Sequence, residues 1–360
     1  MNWLAWRQHR KQFMVAGIFL VLFAALMVPT GLSFWHTYQH ALSTCGSTDT
    51  CNQLGGELFQ SSIDNLLFHL VPIAIMFVPV VLGIFWGAPL LTREYVEGTN
   101  KLVWTQSISR LKWLNVKLVW VLVGAVITAG AFAALDTWWS KTGNSLNLNR
   151  FGPVAFSSQG IVPVACAVFA VALGIMFGAW FKRTMVALGL TLAVLIAIML
   201  VIVPNFVRPH YETPTSYKMS LTGNIKINGV PTNSNSPLSN GASLVVSQTT
   251  VSSQNQPLNW ANPPKQCIVN TPPGLGTESN GHHQAVAAPT GNGTPEAIDS
   301  QNGGPAINLN CLEPLGYRME VKYQPSYRYW DFQRIETGLY LVLSVIPIGA
   351  TYWLVLRRDA

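Results

Sequence analysis

The chain has 360 residues, of which 49% are hydrophobic and only 10% are charged, and its formal net charge at pH 7 is +7. Its hydrophobic residues come in runs of about twenty, the length that an α-helix needs to cross the hydrocarbon core of a bilayer. This distribution excludes a protein that lies wholly in water, and it predicts a polytopic membrane protein.

Six such runs predict an all-α fold class with six transmembrane helices. A small extracellular domain, expected to contain β-strands, is predicted between the fifth and sixth helices. The predicted domains are 1–206 with the first five helices, 207–335 outside the membrane, and 336–360 with the sixth helix and a cytoplasmic tail. The six spans are predicted at 13–33, 66–91, 114–135, 161–181, 184–206 and 338–356.

Lysine and arginine residues predict which ends of the spans face the cytoplasm, because basic residues in short loops are retained on that side. With the N-terminus inside, the short outer loops hold only Lys141 and Arg150. The sequence therefore predicts a multi-pass protein of the plasma membrane with both termini in the cytoplasm. The inner segments hold Arg7, Arg10, Lys11, Arg93, Lys101, Arg110, Lys112, Lys117, Lys182, Arg183, Arg357 and Arg358.

The residues before the first span alternate aromatic and basic side chains. In a helix, Trp3 and Trp6 would lie at the level of the lipid headgroups, and Arg7, Arg10 and Lys11 would face anionic lipid or solvent. This pattern predicts an N-terminal interfacial helix. The alternative is an ordinary positively charged flank of a span.

The second span contains Pro72, Pro79 and Pro89 together with Gly83 and Gly87. Each proline removes a backbone donor and clashes with the preceding turn. We therefore expect this helix to be kinked or locally unwound.

In the fourth span, Gly174 and Gly178 have the spacing that lets two helices approach closely. The pair is a candidate dimer face.

The segment 207–335 is rich in Asn, Ser, Thr, Gly and Pro and has few large apolar residues. It cannot be embedded in the membrane. Two strand-like stretches, 218–230 and 243–251, predict a small β-containing domain, and the polar composition of 270–308 predicts a flexible insertion.

Four of the five cysteines lie on the predicted outer side, and only Cys166 lies in a span. This partition favours disulfides formed in an oxidising compartment. We expect the pairs Cys45–Cys51 and Cys267–Cys311, although four cysteines allow three connectivities and free thiols are the alternative.

The sequence contains no phosphate-binding loop, no zinc-protease helix motif and no nucleophile elbow. No catalytic residue, no metal site and no nucleic-acid partner is therefore expected. Asp136 and His69 fall near the outer ends of their spans rather than at the midplane, which disfavours a proton-coupled transporter. We expect Asp136 to be hydrated at the edge of the membrane.

The segment 92–113 between the second and third spans carries the clearest functional pattern. Glu94 and Glu97 are three residues apart and would share one helical face, where they could pair with Arg93, with Arg110 or with a basic partner. Gly98 permits a sharp exit from the helix.

Together with Thr99, Ser109 and Lys117, these residues form an ordered pattern. The pairs Arg93-Glu94 and Ser109-Arg110, the triplet Glu97-Gly98-Thr99 and the single Lys117 resemble the signature of ATP-binding-cassette type-2 permeases of bacteria. The six spans and the outer domain before the last span extend this resemblance over the chain.

The resemblance implies that Thr99 caps a short coupling helix and that Lys101, Val103 and Trp104 of this helix lie flat on the membrane. The coupling helix would dock in a cleft of a separate cytoplasmic ATPase, which would bind ATP and Mg²⁺ in place of this chain. Two copies, or this chain and a related permease, would form a homodimer or heterodimer in the lipid bilayer. The resemblance also implies export rather than import.

A different class of protein also accounts for the large outer segment. A membrane receptor or immunity-type protein would bind a ligand with that segment and transport nothing. It would not need the acidic and glycine-containing pattern between the second and third spans.

Overall fold

The computed structural model describes residues 2–44, 62–98, 109–141, 150–221, 243–259, 262–268, 297–298 and 307–358. Contacts divide the chain into a helical unit, Met1–Tyr211 with Tyr327–Ala360, and a second unit, Glu212–Ser326. Within the described residues six helices are long and apolar enough to cross a membrane, which confirms the six predicted spans. We call them spans one to six; they are Arg10–His40, Leu66–Glu97, Arg110–Trp139, Val162–Phe181, Thr184–His210 and Ser326–Arg357.

Span one is part of a single helix, Asn2–Thr44. The predicted N-terminal helix is therefore continuous with span one, because the helix runs without a break from Asn2 into the span. Its position at the membrane interface stays a prediction. The reason for the continuous helix is local: residues 7–12 are Arg, Gln, His, Arg, Lys and Gln, with neither glycine nor proline. Most of them are good helix formers, so nothing ends the helix before the apolar run begins.

Span two is interrupted, as predicted from its prolines. A helix over Ser62–Met76 stops at Phe77, a short helix covers Val78–Leu82, and a π-helical turn at Gly83–Gly87 leads into the helix Ala88–Glu97. The interruption lies just before Pro79, which has no N–H to continue the hydrogen-bond ladder. Wide π-helical turns of this kind also relieve the strain of a distorted ladder.

The remaining spans are also helical. Spans three and four are single helices, and span six ends in a π-helical turn. Span three is the helix Arg110–Trp139, and span four is the helix Val162–Phe181, which the short helix Pro153–Ser158 precedes. Span five consists of the segments Thr184–Ile196, Ala197–Val207 and Arg208–His210. Span six consists of the segments Ser326–Arg328, Tyr329–Trp353 and Leu354–Arg358.

Span four lies at the centre of the helical unit and touches span two through glycines. A Cβ atom at Gly174 would clash with the carbonyl oxygen of Gly83, and one at Gly178 would lie 2.5 Å from the carbonyl oxygen of Ala88. From span two, a Cβ atom at Gly87 would lie 2.6 Å from the carbonyl oxygen of Val171. The two backbones are therefore in direct contact, as small residues allow.

This packing corrects the candidate dimer face. Gly174 and Gly178 contact span two of the same chain, so they are not available to a second copy. The spacing indicated close helix approach correctly, but a single sequence does not say which helix approaches. The matching spacing of Gly83 and Gly87 on span two was the signal for the intramolecular partner.

Gln333 of span six provides a hydrogen-bond acceptor for the backbone N–H groups at the start of span four. Its side-chain oxygen accepts hydrogen bonds from the backbone N–H groups of Ile161 and Val162, both at 3.1 Å. Its side-chain nitrogen donates to the carbonyl oxygen of Phe156 at 3.0 Å. The first N–H groups of a helix have no partner within that helix, so a buried amide from a neighbour takes this role.

The end of span five is joined to span six by a buried ion pair. Arg208 donates to both carboxylate oxygens of Glu336, at 3.0 and 2.9 Å, and also to the hydroxyl of Ser157 at 3.2 Å. The hydroxyl of Tyr211 donates to Glu336 at 3.2 Å. Burial raises the pKa of Tyr211 well above its usual value, and the Glu336 carboxylate raises it further, so the hydroxyl stays protonated and can donate.

The unit Glu212–Ser326 contains a three-stranded antiparallel sheet, in which Arg318–Gln324 is the middle strand between Thr215–Met219 and Leu244–Val251. The strand Leu244–Val251 agrees with the predicted 243–251, whereas the first strand covers Thr215–Met219, and most of the predicted 218–230 lies outside the described residues. Strand bounds are β1 Thr215–Met219, β2 Leu244–Val251, β3 Ala297–Ile298, β4 Ile307–Asn308 and β5 Arg318–Gln324, with β3 paired to β4 and a short helix at Leu309–Leu312.

A disulfide joins Cys267 to Cys311, one of the two pairs expected. It lies in a small apolar cluster with Leu221, Leu258 and Leu312. The other expected pair, Cys45–Cys51, lies outside the described residues, as does most of the predicted flexible insertion.

The second unit is shorter than the predicted 207–335. Residues 207–211 and 327–335 belong to the helical unit, because spans five and six extend further than their apolar runs. The prediction followed the apolar runs, so span five ended before Arg208 and span six began after Glu336. The structure buries these two charges as a pair.

We predict that Gly174→Ala destabilises the protein while Gly189→Ala does not. The new methyl group at position 174 would collide with span two, which costs about 1–3 kcal/mol by overpacking, whereas a Cβ atom at Gly189 meets nothing within 4 Å. Denaturant unfolding in detergent, followed by circular dichroism, measures both variants. If Gly174→Ala kept its stability but no longer formed a dimer, the prediction of a dimer face at Gly174 and Gly178 would be correct after all.

We also predict that Glu336→Ala lowers the free energy of unfolding by about 3–5 kcal/mol, because it leaves the Arg208 charge buried without its partner. The matched control is Asp331→Ala, which breaks the exposed pair between Asp331 and Arg334 and should cost no more than about 1 kcal/mol. The same unfolding assay applies. Equal losses of unfolding free energy in the two variants would show that the buried pair stabilises the protein no more than the exposed pair does.

Candidate functional site

The predicted functional segment lies where span two ends and span three begins. The structure describes Arg93, Glu94, Glu97 and Gly98 on one side of the junction and Arg110 and Lys117 on the other. Thr99, Lys101, Val103 and Trp104, and with them the predicted coupling helix, lie outside the described residues. We call the described part, residues 92–98 and 109–117 with Lys182, the junction.

Local sequence explains both helix ends at the junction. The helix Ala88–Glu97 stops at Gly98, which has φ 67°, a left-handed conformation that glycine adopts at little cost. This confirms the sharp exit predicted at this glycine. Span three begins after Ser109, whose hydroxyl accepts a hydrogen bond from the backbone N–H of Lys112 at 3.4 Å.

Glu94 and Lys117 form an ion pair that ties the two spans together. The side chains are only 16% and 8% exposed, so water screens the pair weakly. The ammonium group of Lys117 also lies 4.8 Å from the centre of the Trp113 ring, a distance suited to a cation–π contact. The predicted partners of Glu94, Arg93 and Arg110, are therefore replaced by a lysine two turns inside span three.

Glu97 has a different environment from Glu94. Although the two residues are three apart, Glu94 turns towards span three, whereas Glu97 is exposed. Arg93 is exposed too, and the side chain of Val96 is 70% exposed. The end of span two thus has one face held inside the protein and another that a partner can reach.

Span four also reaches the junction. Lys182, the residue that ends span four with φ 53°, places its ammonium group 4.9 Å from the centre of the Tyr95 ring. One helical turn before Tyr95, Thr92 is fully buried, donates to the carbonyl oxygen of Ala88 and packs beside Gly178. The sequence pattern identified neither contact, because it does not show which ends of the spans meet.

One carboxylate oxygen of Glu94 still has bonding capacity. Its Oε2 atom is buried and has no hydrogen-bond partner among the described residues. Buried carboxylate oxygens are normally satisfied by two or more donors. The second oxygen of Glu94 can therefore accept a hydrogen bond from one further donor.

Asp136, at the end of span three, is buried rather than hydrated. It is 0% exposed, and Ser158 of the short helix before span four lies beside its carboxylate. The expected hydration at the membrane edge is therefore wrong, because the start of span four and the short helix before it cover this end of span three.

The described residues hold no group of three or more His, Cys, Asp or Glu side chains that could bind a metal ion.

Comparison with known families identifies the chain. The family model described as ABC-2 membrane transporter related matches residues 17–208, which extend from within span one to within span five and include the whole junction. Neither the curated proteins nor the solved structures gave a match. With more than half of its residues matched, the chain belongs to the ABC-2 membrane transporter related family and is a membrane-embedded component of a transport system.

Proposed function

We propose that this chain is the permease subunit of an ATP-driven exporter and that segment 92–113 couples it to a separate ATPase. The observation that carries the proposal is the buried pair of Glu94 and Lys117 beside an exposed face formed by Arg93, Val96 and Glu97. A coupling element needs both properties, because it must be reached by its partner and must move the spans when the partner moves.

The ion pair makes the junction stiff. Glu94 belongs to the last turns of span two and Lys117 lies about 10 Å inside span three, at 1.5 Å per residue from Arg110. Separating the two side chains would leave buried charges without partners, which costs several kcal/mol. A push on the loop between the spans would therefore move both spans together.

The exposed face provides the contact. Arg93 and Glu97 present one charge of each sign, and Val96 presents an apolar surface between them. Such a mixed surface suits docking to a soluble protein, where charges steer the encounter and apolar contact holds it. In this proposal, ATP and Mg²⁺ are bound by the ATPase, and this chain binds neither.

The proposal also assigns the assembly and its orientation. Two copies of this chain, or this chain with a related permease, form the pathway in the plasma membrane. Both termini and the junction face the cytoplasm, where the ATPase lies, and the unit Glu212–Ser326 lies outside the cell. The distribution of lysine and arginine supports this orientation.

Photocrosslinking at the junction tests the proposal. A benzophenone amino acid at Val96 should capture a soluble ATPase in native membranes. Val342 of span six is the matched control, since both are valines and both are 70% exposed, and it should capture no ATPase. Failure at Val96 with the protein folded and the ATPase expressed would contradict the proposal and favour a receptor that binds its ligand outside the membrane.

Single substitutions distinguish the contact that the exposed face makes with the ATPase from the stiffness that the ion pair gives to the junction. We expect Glu97→Ala to weaken permease-dependent ATP hydrolysis in reconstituted vesicles roughly two- to thirtyfold without changing stability, because it alters only the exposed face. Lys117→Ala should instead lower the free energy of unfolding by about 3–5 kcal/mol, since it leaves Glu94 buried and unpaired.

Exchanging both partners provides the control for Lys117→Ala. The double variant Glu94→Gln with Lys117→Met should recover most of the lost stability, because no buried charge remains. A Glu97→Ala variant that hydrolyses ATP normally in a permease-dependent manner would contradict the role of the exposed face.

A further inference from the structure

Spans one and three enclose an apolar groove of about 290 Å³ that the proposed coupling does not use. Phe13, Gly17 and Leu20 line it from span one, and Gly124 and Ile127 are among the residues that line it from span three. An engineered apolar cavity of about half this volume binds benzene. The groove is therefore large enough for a hydrocarbon ligand of about twice that size.

The groove exists because Gly17 has no side chain to fill it. A Cβ atom at Gly17 would meet nothing within 4 Å, whereas one at Gly124 would clash with the Phe13 ring. The groove is partly open, and the side chain of Ile127 in its wall is 66% exposed. Since both walls belong to membrane-spanning helices, its open side faces hydrocarbon rather than water.

Arg10 lies one helical turn before Phe13, the first residue of span one that lines the groove. Arg10 is followed by Phe13, Gly17 and Leu20 at intervals of three, four and three residues, so all four residues lie on one face of the helix. The exposed Arg10 marks the beginning of span one, where the hydrocarbon gives way to the headgroups. A guanidinium at this level suits a phosphate, which it can bind through two parallel hydrogen bonds.

We propose that this groove holds one acyl chain of an anionic membrane lipid whose phosphate group is bound by Arg10. The apolar walls receive the chain, and the charge of Arg10 selects the headgroup. A lipid seated there fills the space between spans one and three and keeps the two helices at a fixed distance. The groove is thus a specific lipid site on the permease, independent of its coupling to an ATPase.

Photoactivatable lipids test this proposal on the full-length protein. The protein is reconstituted into phosphatidylcholine vesicles that contain a small fraction of either phosphatidylglycerol or phosphatidylcholine with a diazirine in one acyl chain. After irradiation, mass spectrometry locates the labelled peptides. We expect phosphatidylglycerol to label the peptides that contain residues 13–20 and 120–131 more strongly than phosphatidylcholine does.

Three variants distinguish the groove from the general lipid surface. Gly17→Leu should abolish labelling of these two peptides, because the new side chain fills the groove. Gly189→Leu is its matched control in span five, with equal space around the Cβ atom, and should leave that labelling unchanged. Arg10→Gln should reduce the preference for phosphatidylglycerol about fivefold, the contribution of one basic residue near an anionic surface.

Several outcomes would overturn the proposal. One is equal labelling of Gly17→Leu and the unmodified protein. Another is equal labelling by the two lipids, with no effect of Arg10→Gln. A third is a smaller oligomer for Gly17→Leu in native mass spectrometry with unchanged lipid labelling, since the groove would then be an interface with a second copy.

Discussion

A bilayer offers no water to a buried polar group, and this constraint arranges both ends of span four. Near its start, Gln333 satisfies the first backbone N–H groups, and Arg208 neutralises Glu336. Near its end, Lys117 neutralises Glu94. Each of these side chains would be costly alone in the membrane, so the pairs determine which spans lie side by side.

Between these polar ends, the spans are joined by close backbone contact. Gly83 and Gly87 of span two lie against residues 170, 171 and 174 of span four, and Gly178 lies against Ala88 and Thr92. Without a hydrophobic driving force between helices in lipid, such contacts depend on van der Waals packing. The π-helical turn at Gly83–Gly87 falls at this contact, so the distortion of span two and its closest approach to span four occur together. The helix Ala88–Glu97 continues from this turn to the junction.

The sequence predicted features that depend on local composition. Apolar runs defined the six spans, Gly98 marked the end of span two, and the prolines marked its interruption. The sequence did not show that Glu94 pairs with Lys117 or that Arg208 pairs with Glu336, because each pair joins different helices. The same limit led to the wrong assignment of Gly174 and Gly178 to a dimer, since helical spacing defines a face but not its partner.

If the ion pair between Glu94 and Lys117 holds the junction together, the ends of spans two and three move as one body. Val96 and Leu111 are exposed positions on either side of the junction, where spin labels can be attached. Pulsed electron paramagnetic resonance then measures the distance between the labels in the complex with the proposed ATPase. The account predicts a single narrow distance distribution that stays the same with and without ATP, and that broadens in Lys117→Ala. A distance that changes with ATP in the unmodified junction would contradict it, because the two ends would then move separately.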